Sequence, residues 1–227
     1  ALLLAWNRRI VLFDRATKTR GWGSAGLDMR IMRLGGKKLG IIGLGRIGQA
    51  VAAKAGAFGL DVLASDPFVS QDRAAEFGVK LVSMDELLSQ SDFVTVHSPL
   101  THETTNLIGR EELARMKPDS FLINAARGPL IDEDALYDAL TSGQVAGAGL
   151  DVLVDIEPAL DHRLIQLDNV IVTPHTAFYS QEATLELEQR AAGEVVRVFQ
   201  GAMPENLVNR DVLSSPNLRA ELAATES

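Results

Sequence analysis

The sequence predicts an α/β fold: a doubly wound parallel sheet with helices on both faces. Strand-like and helix-like segments alternate between residues 38 and 153. The strand-like runs are short and apolar at nearly every position, as strands buried on both faces are. The first of them passes through a glycine-rich turn straight into a helix.

Residues 2 to 16 set apolar side chains at helical spacing around Arg8, Arg9 and Arg15, which predicts an amphipathic helix. The polar, glycine-rich "TKTRGWGSAGLDMR" predicts an irregular arm over 17–30. "KLGIIG" predicts a strand and "RIGQAVAAKAGAFG" a helix closed by Gly59. "DVLASD" is a second strand, "SQDRAAEFG" a short helix and "VKLVS" a strand. "MDELLSQS" is a helix in which Ser83 is an N-cap with Glu86 three residues on. "DFVTVHSP", "SFLINAA" and "VAGAGLDVL" are strands separated by the helices "REELARMK" and "DEDALYDALTSG". An irregular excursion, "EPALDHRLIQLD", leads to a last strand, "NVIVTPH", and a long amphipathic helix, "SQEATLELEQRAAGEVVRVFQG". The polar ending "LSSPNLRAELAATES" predicts fraying. The expected division is one domain over 1–205 and a tail over 206–227.

The chain has 227 residues, 46% apolar and 23% charged, an ordinary globular composition. Its net charge of −8 argues against nucleic acid and anionic membrane, where phosphate must be neutralised. The absence of cysteine excludes disulfides and thiol chemistry and fits a reducing compartment, so a cytoplasmic protein is expected. No apolar run approaches the roughly 18 to 20 residues of a membrane span. The opening "ALLLAWNRRIVLF" places its apolar part before its basic part, the reverse of a secretory signal.

"GLGRIG" sets Gly43, Gly45 and Gly48 in G-x-G-x-x-G spacing between a strand and a helix. Gly43 permits the turn, Gly45 lets backbone approach a pyrophosphate, and Gly48 lets helix and strand pack closely. Asp66 ends the next strand, 18 residues after Gly48. A carboxylate there accepts both ribose hydroxyls and repels a 2′-phosphate, which favours NAD over NADP. The pattern predicts a Rossmann-type dinucleotide-binding domain.

Ligands of such sheets bind at the carboxyl ends of strands. His97, Ser98, Asn124, Arg127, Asp151 and His175 all follow strands, and Glu157 lies in the excursion. The Arg127 guanidinium can grip a carboxylate and a neighbouring carbonyl oxygen, with Gly128 turning the chain beside it. His175 suits proton transfer near neutral pH, and Glu157 is the candidate carboxylate behind it. His102 and His162 occupy polar loops and read as unremarkable histidines, and no metal site is expected.

The stretches "LGIIGLGRIGQAVA", "FVTVHSPLTHETTNLIG", "FLINAARGPLIDEDAL", "AGAGLDV" and "NVIVTPHTAFYSQEA" resemble, in order and spacing, the D-isomer-specific 2-hydroxyacid dehydrogenase family. "HTAFYSQEAT" and "PENLVNRDVL" resemble its C-terminal-binding-protein-like branch. The resemblance covers roughly residues 1 to 210. It implies an NAD-dependent oxidoreductase that moves a hydride between nicotinamide and a D-2-hydroxy or 2-oxo acid. Arg127 would bind the substrate carboxylate and His175, paired with Glu157, would be the general acid/base. Asp151 would lie near the nicotinamide carboxamide, and Ser98 and Thr104 along the adenosine and ribose side. Arg46, Ile47 and Ala125 join the three glycines, Asp66, Arg127 and His175 as cofactor-binding positions, and Phe178 would line the substrate cavity. "VLVDI" between Asp151 and Glu157 is one residue longer than the family spacing.

The resemblance further implies a helix joining two domains over 1–16, a dimer arm over 17–36 carrying Trp22, Leu27 and Met32, and a homodimer. Family members carry a first, substrate-facing domain ahead of the point where this sequence begins. The expectation is therefore that this chain binds NAD and turns over poorly alone. The alternatives are an NAD(H)-sensing transcriptional corepressor and an inactive truncated cofactor domain.

Overall fold

Along each strand successive side chains point to opposite faces, so an all-apolar strand needs a core on both. The computed structural model, which describes residues 1–216 and 218 apart from 24 and 28, has two such cores. Ile42, Val94, Val96 and Leu122 face one; Ile41, Phe93, Phe121 and Ile123 face the other.

The strands are β1 (Lys38–Ile42), β2 (Asp61–Ser65), β3 (Val79–Leu81), β4 (Phe93–Val96), β5 (Phe121–Asn124), β6 (Gly147–Leu150) and β7 (Val170–Val172). They form one sheet in the order β3-β2-β1-β4-β5-β6-β7, and every pairing is parallel. Helices cover it: α3 (Arg46–Ala57), α4 (Gln71–Ala75), α5 (Met84–Gln90), α6 (Arg110–Arg115) and α7 (Glu133–Ser142), with α1 (Leu2–Asn7) and α2 (Ile10–Arg20) ahead of them. Ser83 caps α5 by accepting from the Glu86 N–H at 3.1 Å. α5 lies against bare backbone at Gly40, where an added Cβ would stand 2.5 Å from Leu87.

The strand order reverses at β1, which opens a crevice between the ends of β1 and β4. Register aligns the carboxyl ends: Ile42 pairs with Val96, Val96 with Asn124, Asn124 with Leu150, and Leu150 with Val172. Gly43, His97, Ala125, Asp151 and Thr173, each one residue further on, therefore leave the sheet along one edge.

The single helix expected over 2–16 is two helices. Arg9 adopts a left-handed conformation, φ 52°, between them. Trp6 causes the break: it stacks on Phe121 at 4.5 Å and lies against Gly147, where a Cβ would meet its ring at 2.2 Å. That seat fixes the direction of α1, and Arg9 turns the chain while its guanidinium covers the Trp6 ring at 4.1 Å. α2 then continues to Arg20, so 17–20 is helical and not part of the arm; the first breaker is Gly21, φ 86°.

Ala1–Ala177 forms one compact unit. A second begins at Phe178. It contains α8 (Gln181–Phe199), capped by Ser180 accepting from the Ala183 N–H at 3.0 Å, and a 3₁₀ turn, Arg210–Ser214. The fraying expected at the end concerns mostly 217 and 219–227, which lie outside the described residues. Among the described residues no helix is long and apolar enough to cross a membrane.

Candidate functional site

The glycine turn follows from its contacts. Gly43 has φ 91°, and a Cβ there would lie 2.8 Å from the Ser98 nitrogen. At Gly48 it would lie 2.3 Å from the Gly43 carbonyl oxygen, so α3 meets the turn backbone to backbone. Gly45 differs: nothing stands within 4 Å of an added Cβ. It is the N-cap of α3, and the first-turn N–H groups there receive no side-chain cap. Such an N-terminus attracts an anion. Arg46 and Ile47 occupy the first turn with their side chains exposed.

Asp66 closes the turn from β2. Its carboxylate accepts from the Leu44 N–H at 2.7 Å and the Phe68 N–H at 2.8 Å, which holds it, half-buried, beside the glycines. Across the crevice, the Ser98 hydroxyl donates to the Ile42 carbonyl at 3.4 Å. His97 is mostly buried with Nε2 3.1 Å from the Thr95 hydroxyl, and burial lowers its pKa to about 4. Thr104 ties its own loop, donating to the Pro99 carbonyl and accepting from the Thr101 N–H, both at 2.7 Å.

After β5 the chain turns on Asn124, which is 1% exposed. Its side chain accepts from the Ala126 N–H at 3.0 Å and donates to the Arg127 carbonyl at 2.8 Å. The half-buried Ala125 lies inside this loop, and the exposed Arg127 side chain donates to the Ala126 carbonyl at 2.6 Å. The permanently charged arginine thus sits on a turn set by a buried amide. Gly128 is needed for another reason than turning freedom. A Cβ there would lie 2.1 Å from the Leu153 carbonyl, because the segment after β6 packs directly on it.

Asp151 is 2% exposed and organises the segment that carries His175. Its carboxylate accepts from the Thr173 hydroxyl at 2.5 Å and from the N–H groups of Thr176 and Ala177, both at 2.9 Å. The His175 N–H donates to the Asp151 carbonyl at 2.9 Å, and His175 takes a left-handed φ of 53°. A non-glycine residue there is held by its surroundings, a feature common at functional sites.

The sheet edge brings together Gly43, Ser98, Ala125, Arg127, Asp151 and His175. Glu157 is carried by the excursion instead, exposed, its N–H donating to Asp155 Oδ1 at 3.1 Å. Phe178 opens the second unit, edge-on to Tyr179 at 6.4 Å. His162 is less exposed than a loop histidine should be: its side chain is 20% exposed and its Nε2 is 3.5 Å from Glu133. Sequence reading also passed over Thr173, whose hydroxyl role appears only once β6 and β7 are paired. Among the described residues no group of His, Asp and Glu is arranged to hold a metal.

The reversal of strand order, the glycine turn and the carboxylate after β2 define a dinucleotide-binding domain of dehydrogenase type. Residues 1–177 match the family described as "D-isomer specific 2-hydroxyacid dehydrogenase, NAD binding domain". The chain belongs to that family and carries its NAD-binding domain. It is 44% identical over 212 residues to D-3-phosphoglycerate dehydrogenase of Archaeoglobus fulgidus, covering 92% of this chain and 39% of that one. It is 42% identical over 217 residues to glyoxylate reductase of Korarchaeum cryptofilum, covering 94% and 65%. The chain thus spans between about two fifths and two thirds of the length of these relatives. The solved structure of D-lactate dehydrogenase with NAD+ from Lactobacillus jensenii superposes with a TM-score of 0.81 at 32% identity, over 92% of this chain and 66% of that one.

Proposed function

We propose that this chain supplies the cofactor-binding and proton-transfer part of an NAD-dependent oxidoreductase interconverting a 2-oxo acid and a D-2-hydroxy acid. The observation that carries the reading is Asp151 holding His175 in a left-handed conformation at the sheet edge that also carries Arg127 and the glycine turn. The residues present fit NAD: open space at Gly45, uncapped N–H groups at α3, and the Asp66 carboxylate beside them. When bound, the nicotinamide supplies or receives the hydride. Asp66 would take the ribose hydroxyls and disfavour a 2′-phosphate.

Arg127 grips the substrate carboxylate with two parallel N–H donors and sets the adjoining carbonyl carbon in place. His175 gives a proton to the carbonyl oxygen during reduction and takes it back during oxidation. Glu157 orients the imidazole. Ser98, Thr104, Ala125, Arg46 and Ile47 would flank the cofactor. Relatives named for 3-phosphoglycerate, glyoxylate and lactate support a small substrate whose carboxylate adjoins the reacting carbon.

The chain would work as a homodimer. A groove of about 500 Å³ lies among residues of α1, α2, the arm and the segment before β7, with Leu12, Leu27 and Ile171 beside Arg9, Arg15 and Arg30. Trp22 is 96% exposed, and Val11 and Met29 are over half exposed, so a second copy of the same face would cover apolar surface. Light scattering at micromolar concentration tests this, and a monomer mass would refute it. The cytoplasmic setting rests on the absence of cysteine. The corepressor alternative gains nothing from these relatives, which are named as dehydrogenases and a reductase.

The test is incubation with NADH and small 2-oxo acids, with the product resolved by chiral chromatography. A D-hydroxy acid whose formation is lost in His175→Gln and Arg127→Ala supports the reading. An L product, or formation unaffected by both substitutions, would refute it.

A further inference from the structure

Residues 151–168 leave the sheet after β6 and return before β7, and Glu157 rides on this excursion. An exposed loop of this length needs anchors if a carboxylate on it is to hold a fixed place. One of those anchors is a single side chain. Glu133, the first residue of α7, accepts the Val154 N–H on Oε1 at 2.7 Å. Its Oε2 lies 3.5 Å from His162 Nε2. Both side chains are mostly buried, 17% exposed for Glu133 and 20% for His162.

The two partners flank Glu157, Val154 three residues before it and His162 five residues after. One carboxylate therefore closes the base of the loop that bears Glu157. His162 Nδ1 is buried without a hydrogen-bond partner, so the proton of a neutral ring belongs on Nε2, facing Glu133. Neighbouring contacts hold the same base. Arg163 touches Asp134 and covers the Tyr137 ring at 4.9 Å, Leu164 is wholly buried, and Gly128 packs on the backbone of Leu153 and Val154. The Gly128 contact joins the loop base to the turn that presents Arg127.

We infer that Glu133 is a positioning residue: by clamping Val154 and His162 it fixes the loop that brings Glu157 to His175. This rests on the proposed pairing of Glu157 with His175, and it assigns a part to a glutamate that otherwise looks like an ordinary first-turn acid.

The experiment uses the 227-residue chain, with amide hydrogen exchange and histidine NMR titration as readouts, so turnover is not needed. Glu133→Asp keeps the charge at the start of α7 but falls short of the clamp; Glu133→Gln keeps the length and an oxygen acceptor. The expected result for Glu133→Asp is exchange across 154–161 faster by at least about tenfold, the rest of the sheet unchanged. The His175 titration should then move to where Glu157→Gln puts it. Glu133→Gln should keep exchange close to the parent and leave His175 nearer its parent value. In the Glu157→Gln background, Glu133→Asp should move His175 no further. Unchanged exchange in Glu133→Asp overturns the clamp. Faster exchange with an unmoved His175, while Glu157→Gln does move it, overturns the positioning role. If Glu157→Gln itself leaves His175 unmoved, the proposed pair fails and the positioning role falls with it, whereas the exchange result still reports on the clamp.

Discussion

Asp151 grips the His175 segment from both its side chain and its main chain. Its carboxylate receives the N–H groups of Thr176 and Ala177 at 2.9 Å each, and its carbonyl receives the His175 N–H at 2.9 Å. The carboxylate, 2% exposed, also accepts from the Thr173 hydroxyl, and removing it leaves that hydroxyl and two backbone N–H groups without their acceptor.

Asp151→Ala should therefore cost about 2 kcal/mol of stability, in the range typical of hydrogen bonds to a charged group. Urea unfolding measures this. The same variant should broaden or shift the His175 imidazole signals, because the left-handed φ loses its support. A variant with unaltered unfolding would show that the carboxylate's bonds to Thr173, Thr176 and Ala177 contribute nothing net.

Gly45 separates folding from binding. No protein atom lies within 4 Å of a Cβ placed there, and its φ of −71° suits any residue. Gly45→Ala should leave the Tm within about 2 °C while NADH binding weakens at least about tenfold, since the methyl would stand in the path proposed for the pyrophosphate. Gly48→Ala should lower both, because its Cβ would stand 2.3 Å from the Gly43 carbonyl oxygen.

His97 makes stability depend on pH. Burial lowers its folded-state pKa to about 4 from 6.5. Between those values the unfolded chain binds the extra proton, so stability rises with pH through this window. The contribution is complete above pH 6.5 and is lost as pH falls toward 4, amounting to about 3 kcal/mol at full extent. His97→Gln keeps a hydrogen-bonding group for Thr95 without a titrating ring. Its chemical denaturation midpoint should fall less steeply between pH 6.5 and 4 than that of the parent. Parallel profiles would place the acid sensitivity elsewhere.

The strands were legible because both faces of the sheet are covered, which forces apolar side chains at odd and even positions alike. The glycine turn was legible because backbone contact at Gly43 and Gly48 leaves no room for a side chain. The break at Arg9 was not, because apolar spacing continues across it and only the seat of Trp6 on Phe121 demands a turn. Gly128 was seen as a turn residue, but its cause lies 25 residues away in the Leu153 backbone. Glu133 lies in the first turn of α7, and its reach to Val154 spans 21 residues of sequence, beyond any local pattern. Local pattern revealed what each residue favours; contacts made across the sheet decided what Asp151, Gly128 and Glu133 are for.

The glycine turn and Asp66 are the proposed NAD site. Titrating the chain with NADH and with NADPH, each followed by nicotinamide fluorescence, tests it most directly, with Asp66→Ala alongside. The expected result is saturable NADH binding, NADPH weaker by at least about tenfold, and a ratio that collapses toward unity in Asp66→Ala. Equal affinity for both cofactors in the parent, or an unchanged ratio in the variant, would contradict it.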